Sequence, residues 1–186
     1  MFFLLYQKLN LRLRKEEIIM ANYFDNIADV TAHVVAESSR LKATISGHIY
    51  DLKMTEDTDN GTIVAIGDHV EGQVFKAATY AAGKAPYLVL TPPLAYNGRK
   101  SQSEEKYFYN ATGEIARAYE LHKDDIFTVS EDAFTGSPAV GKYVDSTYTV
   151  ADATTNIHGF VGEIIEEVTY TNSTSYRILV REINKA

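Results

Sequence analysis

The stretch GFVGEIIEEVTYTNSTSYRILVREI, residues 159–183, decides the fold of this chain. On both sides of the polar segment TNSTS (171–175), apolar and polar residues alternate with the period of two that a half-buried β-strand requires. The pattern predicts an antiparallel hairpin with a polar turn. Alternation then assigns one set of apolar side chains to the buried face: Ile164, Val168, Ile178 and Val180.

Short strand-like runs separated by turn residues fill the chain between residue 43 and this hairpin. KATISGHIYDLKM (42–54) alternates, and EDTDNG (56–61) ends in Asn-Gly, a strong turn signal. TIVAIGDHVEGQVFKAATY (62–80) predicts two strands around a turn at Gly67-Asp68. PYLVLTPPL (86–94) predicts a strand closed by prolines.

Two further runs complete the pattern. YFYNATGEIARAYEL (107–121) predicts a hairpin that turns near residues 110–113, and DDIFTVS (124–130) predicts a strand. Neither heptads nor long helices interrupt the strands. We therefore expect an all-β or β-rich domain over residues 43–186, a barrel or sandwich of short antiparallel strands.

The N-terminal residues do not show this strand pattern. Lys15-Glu16-Glu17 can be encoded by purine-rich codons that match a bacterial ribosome-binding site, at the distance from Met20 expected for a start codon. Residues 1–19 are therefore interpreted as a translated leader or, if the native protein contains them, as a docking arm. Residues 20–42 carry apolar residues at roughly helical spacing, which favours a short helix or an extended arm. The apolar residues predicted to contact a partner are Tyr23, Phe24, Ile27, Val30 and Val34.

Composition excludes several classes of function. The chain has 186 residues, a net charge of −7 and no cysteine. An acidic surface is repelled by a phosphate backbone, so nucleic acid is not an expected partner. Without cysteine there is no disulfide framework, thiolate metal site or cysteine nucleophile. No apolar run is long enough to span a membrane.

Motifs that would indicate catalysis are not found. The five histidines (33, 48, 69, 122 and 158) stand far apart in the sequence, and no pair has the spacing of metal ligands. Adjacent carboxylates such as Asp124-Asp125 would point to opposite faces of a strand. Asp57, Asp59 and Gly61 echo a calcium loop but fit a turn better. We therefore predict no catalytic residue, no cofactor and no metal site.

Four segments of the sequence combine predicted strands with Gly-Asp or Asp-Asp steps. They are GTIVAIGDHVEGQVFKA (61–77), GEIARAYELHKDDIFTVSEDAFTG (113–136), VGKYVD (140–145) and GFVGEIIEEV (159–168). This succession of strands and turns, over most of residues 43–183, resembles small virion proteins of tailed bacteriophages that are encoded beside the major capsid protein.

This resemblance implies a head decoration, or cement, protein. Such a protein is made in the host cytoplasm, binds the outside of the capsid in the virion, contacts the major capsid protein and stabilises the shell without catalysis or cofactor. Self-association into a homo-oligomer is compatible with that role. Two other classes stay open: a carbohydrate- or receptor-binding module of a phage tail or fibre, and a β-rich hydrolase.

Overall fold

Strands dominate the body of the protein. The computed structural model describes residues 32–93 and 104–185. Within them lie eleven strands and one short α-helix: β1 (Ala36–Arg40), α1 (Ala43–Ser46), β2 (Ile49–Lys53), β3 (Ile63–Glu71), β4 (Val74–Thr79), β5 (Tyr87–Val89), β6 (Ile115–Glu120), β7 (Ile126–Ser130), β8 (Tyr143–Val144), β9 (Val150–Ala151), β10 (Gly159–Tyr170) and β11 (Ser173–Lys185). Single 3-10 turns lie at Glu105–Tyr107, Glu131–Ala133 and Thr154–Asn156.

Six strands form an antiparallel sheet in the order β1-β7-β11-β10-β8-β9. At its centre lies the predicted hairpin of β10 and β11, which is confirmed. Its two turn residues, Thr171 and Asn172, have φ angles of 49° and 60°. Two successive left-handed residues give the turn whose twist matches that of the paired strands.

The side chains of this hairpin follow the predicted alternation. Ile164, Ile178 and Val180 are completely buried, whereas Val168, nearer the turn, is half-buried. On the opposite face of the hairpin Arg177 pairs with Glu166 and Arg181 pairs with Glu163. The sheet therefore presents an apolar face to the core and a charged face to solvent.

The other five strands close into a barrel in the order β2-β4-β3-β5-β6. Its interior is filled largely by small and aliphatic side chains, since a five-stranded barrel is narrow. These are Leu52, Met54, Val64, Ala77, Val89, Ala116 and Ala118, with Tyr87. Together with the sheet, this barrel confirms the predicted β-rich class. One pair, β2 with β4, is parallel rather than antiparallel.

The barrel is inserted between two neighbouring strands of the sheet. The chain leaves the sheet after β1, builds the whole barrel, and re-enters the sheet at β7, the strand that pairs with β1. We call residues 41–48 the outgoing crossing and residues 121–125 the returning crossing. The two crossings are the covalent links between barrel and sheet.

A second buried apolar cluster joins the two parts. Phe127 and Ile178 from the sheet belong to the same buried cluster as Ile63, Leu88 and Leu121 from the barrel and the returning crossing. Because the barrel covers the apolar face of the sheet, neither part buries this surface without the other.

The structure differs from the sequence prediction at the N-terminal boundary. Residues 36–40, assigned to a helix or arm, form strand β1, and both Val35 and Leu41 are buried in the body. The sequence AESSR has little intrinsic preference for a strand. Its pairing with β7, 86 or more residues further along the chain, supplies the hydrogen bonds that hold it extended.

Three internal predictions also need correction. The turn expected at Gly67-Asp68 is an irregularity within the continuous strand β3, and the chain turns instead at Gly72, where φ is 54°. Residues 43–46, predicted as strand, form α1. The hairpin expected over residues 107–121 is a single strand, β6, preceded by an isolated bridge of Asn110 with Thr58.

The predicted leader (1–19) and the predicted contact residues Tyr23, Phe24, Ile27 and Val30 lie outside the described residues. Val34 lies inside them.

Replacing Ile178 with Asp should unfold the body. The side chain is completely buried opposite Phe127 and Ile164, so a carboxylate there would be desolvated without a partner, at a cost of about 3 kcal/mol or more. Urea unfolding measures the change. Thr174→Asp, on an exposed position of the same strand, is the control and should cost less than about 1 kcal/mol. Equal unfolding free energies for both variants would contradict the assigned face.

Candidate functional site

Asp125 lies where the outgoing and returning crossings meet, and it is completely buried. Its Oδ1 accepts a hydrogen bond from the backbone N–H of Lys42 at 2.9 Å, and its Oδ2 accepts one from the N–H of His122 at 2.8 Å. Its backbone carbonyl accepts the N–H of Val180, in β11, at 2.9 Å. One residue thus ties both crossings to the central hairpin.

Beside Asp125, three polar side chains converge: His48, Glu120 and His122. Nδ1 of His48 lies 3.0 Å from Oε2 of Glu120, and Nε2 of His122 lies 3.8 Å from Oε1 of the same carboxylate. The centroids of the two imidazole rings are 5.9 Å apart. We call these three residues the crossing cluster, since they join the start of β2 to the end of β6.

The barrel ladder positions this cluster. β2 and β6 are antiparallel, and the N–H of Glu120 donates to the carbonyl of His48 at 3.1 Å. On the other side Glu120 is paired with Tyr87 of β5. Burial, with a further contribution from the negative charge of Glu120, raises the pKa of Tyr87 to about 12. Tyr87 therefore stays neutral beside the cluster.

One buried nitrogen of the cluster has no hydrogen bond. Nδ1 of His122 is buried and finds no partner among the described residues. The nearest carboxylate oxygen, Oδ2 of Asp125, lies 3.9 Å away, too far for a hydrogen bond. A buried imidazole nitrogen in this state calls for an explanation.

The crossing cluster was missed by reasoning from sequence spacing. His48 and His122 are 74 positions apart in the chain, yet both lie against Glu120. Two histidines that are far apart in the sequence therefore lie close together in space, whereas the absence of a metal site stays a prediction. A local signal was present: Glu120 and His122 are two residues apart at the end of a strand, which places them on one face.

A cleft of about 480 Å³ lies elsewhere, lined by residues of the barrel and the sheet. Two of its acidic side chains, Asp57 and Asp59, are engaged in structural bonds. Asp57 accepts the backbone N–H of Thr112 at 2.7 Å, and this bond is the main cause that lowers the pKa of Asp57. Asp59 accepts the N–H of Val34 at 3.0 Å and contacts Nδ1 of His33 at 2.7 Å. These bonds fit the turn interpretation of residues 56–61.

A buried tyrosine also lines this cleft. The hydroxyl of Tyr148 donates to the carbonyl of Gly61, and burial raises the pKa of Tyr148. Gly61 has a φ of 92°, and a Cβ there would lie 3.0 Å from the side chain of Ala36. The Asn60-Gly61 turn is thus packed directly between Tyr148 and the start of β1.

The outer edge of β1 is the second surface of interest. The N–H of Ser130 donates to the carbonyl of Val35 at 2.9 Å. Because backbone groups alternate sides along an antiparallel strand, those of Glu37 point to β7, and those of Ala36 and Ser38 point outward. Among residues 32–93 and 104–185, no strand pairs with this outer side.

Val34, the one predicted contact residue that the structure describes, lies just before this edge. Its side chain is half-buried and packs against the protein's own core. The other four predicted contact residues lie outside the described part of the chain.

Comparison with known proteins gives no relative. No family model, no curated protein and no solved structure matches the chain. Among the helices in the described residues, none has the length and hydropathy to cross a bilayer. The function has to be inferred from the chain's own residues.

Asp125→Asn should destabilise the protein by about 2–3 kcal/mol, because an amide has one acceptor oxygen where two buried N–H groups need one each. The measurement is the free energy of unfolding in urea. Asp68→Asn makes the same charge change on an exposed position of β3 and should stay within about 0.5 kcal/mol of the parent. If Asp125→Asn is as stable as Asp68→Asn, the carboxylate does not hold the crossings.

Proposed function

We propose that this chain is a non-enzymatic virion structural protein of a tailed bacteriophage. It binds the outside of the capsid, contacts the major capsid protein and stabilises the shell. The proposal rests on the sequence resemblance over most of residues 43–183 and on one structural observation: within residues 32–93 and 104–185, no strand pairs with the outer edge of β1.

The edge of β1 supports a specific mode of contact. An extended segment of a partner adds to an open sheet edge through backbone hydrogen bonds, which require little of either side chain. The outward N–H and C=O groups of Ala36 and Ser38 offer such a ladder. β1 is exposed along most of its length, so a partner strand reaches it without unfolding the body.

The position of this edge in the chain adds to the proposal. β1 directly follows the segment predicted to contact a partner, so both would be presented together. A partner strand that adds to β1 would extend the six-stranded sheet, whose core-facing side is already covered by the barrel. Binding would then fix the conformation of the partner segment and change the conformation of this protein little.

Substitution at the edge tests the mode of binding. Ser38→Pro removes one outward N–H, and proline is tolerated on an edge strand when that N–H faces away from the sheet. The variant should keep its stability within about 1 kcal/mol. It should bind mature heads of the encoding phage about tenfold more weakly, as expected for the loss of one or two hydrogen bonds. Co-sedimentation with purified heads measures the affinity.

Glu37→Pro is the matched control. It removes an N–H that points to β7, so it should lower the stability of the body rather than act on binding alone. Deleting residues 1–31 completes the set, because it removes four of the five predicted contact residues, all but Val34, and leaves β1 in place. A deletion that extends past residue 35 would remove part of β1 and therefore part of the sheet.

Several results would overturn the proposal. If the parent chain does not co-sediment with heads, the capsid role is wrong. If it binds heads and neither Ser38→Pro nor the 1–31 deletion weakens binding, the contact lies elsewhere on the surface. Binding to cell-surface glycans in place of heads would favour the receptor-binding class.

A further inference from the structure

We propose that His48, Glu120 and His122 bind one divalent transition-metal ion of the zinc class. The ligand atoms would be Nδ1 of His48, a carboxylate oxygen of Glu120 and Nε2 of His122, with water completing the coordination. This inference does not depend on the proposed capsid role.

The distances are close to those of a metal site. One ligand atom from each residue can be chosen so that all three lie within 4.8 Å of one another. Ligands around tetrahedral zinc are about 3.3 Å apart, given zinc–nitrogen and zinc–oxygen distances of about 2 Å. The side chain of His48 is 51% exposed and free to turn toward the ion.

The backbone beneath the cluster is held in place. Glu120 is bonded to His48 across the ladder, and the N–H of His122 is bonded to the buried Asp125. Between the two ligands, Leu121 is completely buried and donates its N–H to the carbonyl of Pro86 at 2.9 Å. The three Cα positions are thus set before any ion binds, which reduces the ordering cost of binding.

The unbonded nitrogen of His122 is explained by the same site. An ion on Nε2 fixes the tautomer that carries its proton on Nδ1. Histidine ligands usually donate that proton to a carboxylate. Oδ2 of Asp125, at 3.9 Å, needs only a small movement of the imidazole to accept it. The pair of His122 and Asp125 is therefore arranged as a ligand and its supporting carboxylate.

The donor set indicates the class of metal. Two imidazoles and one carboxylate suit zinc, cobalt or nickel, whereas magnesium and calcium prefer oxygen ligands throughout. The ion would join the outgoing crossing, which ends at His48, to the returning crossing, which contains His122. It would reinforce the same junction that Asp125 holds and raise the stability of the folded chain.

Isothermal titration with zinc chloride tests the site. The full chain is used without a histidine tag, after treatment with a chelator. One ion should bind per chain and raise the melting temperature, and magnesium chloride should do neither. His48→Ala and His122→Ala should each weaken zinc binding at least tenfold. The matched control is His69→Ala, an exposed histidine outside the cluster, which should bind zinc like the parent.

A spectroscopic measurement makes the test independent of the variants. In a nitrogen-15 NMR spectrum of the parent chain, zinc should shift the imidazole signals of His48 and His122 and leave those of His69 and His158 unchanged. The proposal is wrong if zinc does not bind saturably, if the His48→Ala, His122→Ala double variant binds it as tightly as the parent, or if the shifts fall on the other histidines.

Discussion

The buried carboxylate of Asp125 is the constraint on which the architecture depends. A barrel inserted into a sheet is joined to it by two chain crossings, and each crossing brings backbone N–H groups that the strands do not satisfy. Asp125 accepts one such group from Lys42 and one from His122. A buried N–H without a partner costs free energy comparable to a lost hydrogen bond, so this carboxylate permits both crossings to be buried side by side.

The junction of the two crossings also determines which polar side chains lie together beside it. Because the crossings are fixed, the end of β6 and the start of β2 present their polar side chains to one another. The crossing cluster is thus a product of the fold rather than of any local motif. The edge of β1 has a similar origin: β7 positions the strand, and no other strand in the described part of the chain pairs with its outer side.

Sequence reasoning succeeded where a local pattern determines the structure. The alternation in residues 159–183 was sufficient to predict the hairpin and the burial of Ile178, since period-two burial is a property of one segment. β1 was missed because AESSR acquires its conformation from a distant strand. The crossing cluster was missed for the same reason, as no spacing rule relates His48 to His122. Barrel closure and the parallel pair of β2 with β4 are likewise non-local.

The insertion of the barrel between β1 and β7 has a consequence for the order of folding. Ala36 pairs with Val129, and closing so long a loop in a disordered chain costs about 4 kcal/mol of entropy. Once the barrel has formed, its two ends are already adjacent at the crossings, and most of that cost has been met. β1 is therefore expected to pair with β7 only after the barrel has folded, because the folded barrel holds the two strands close together.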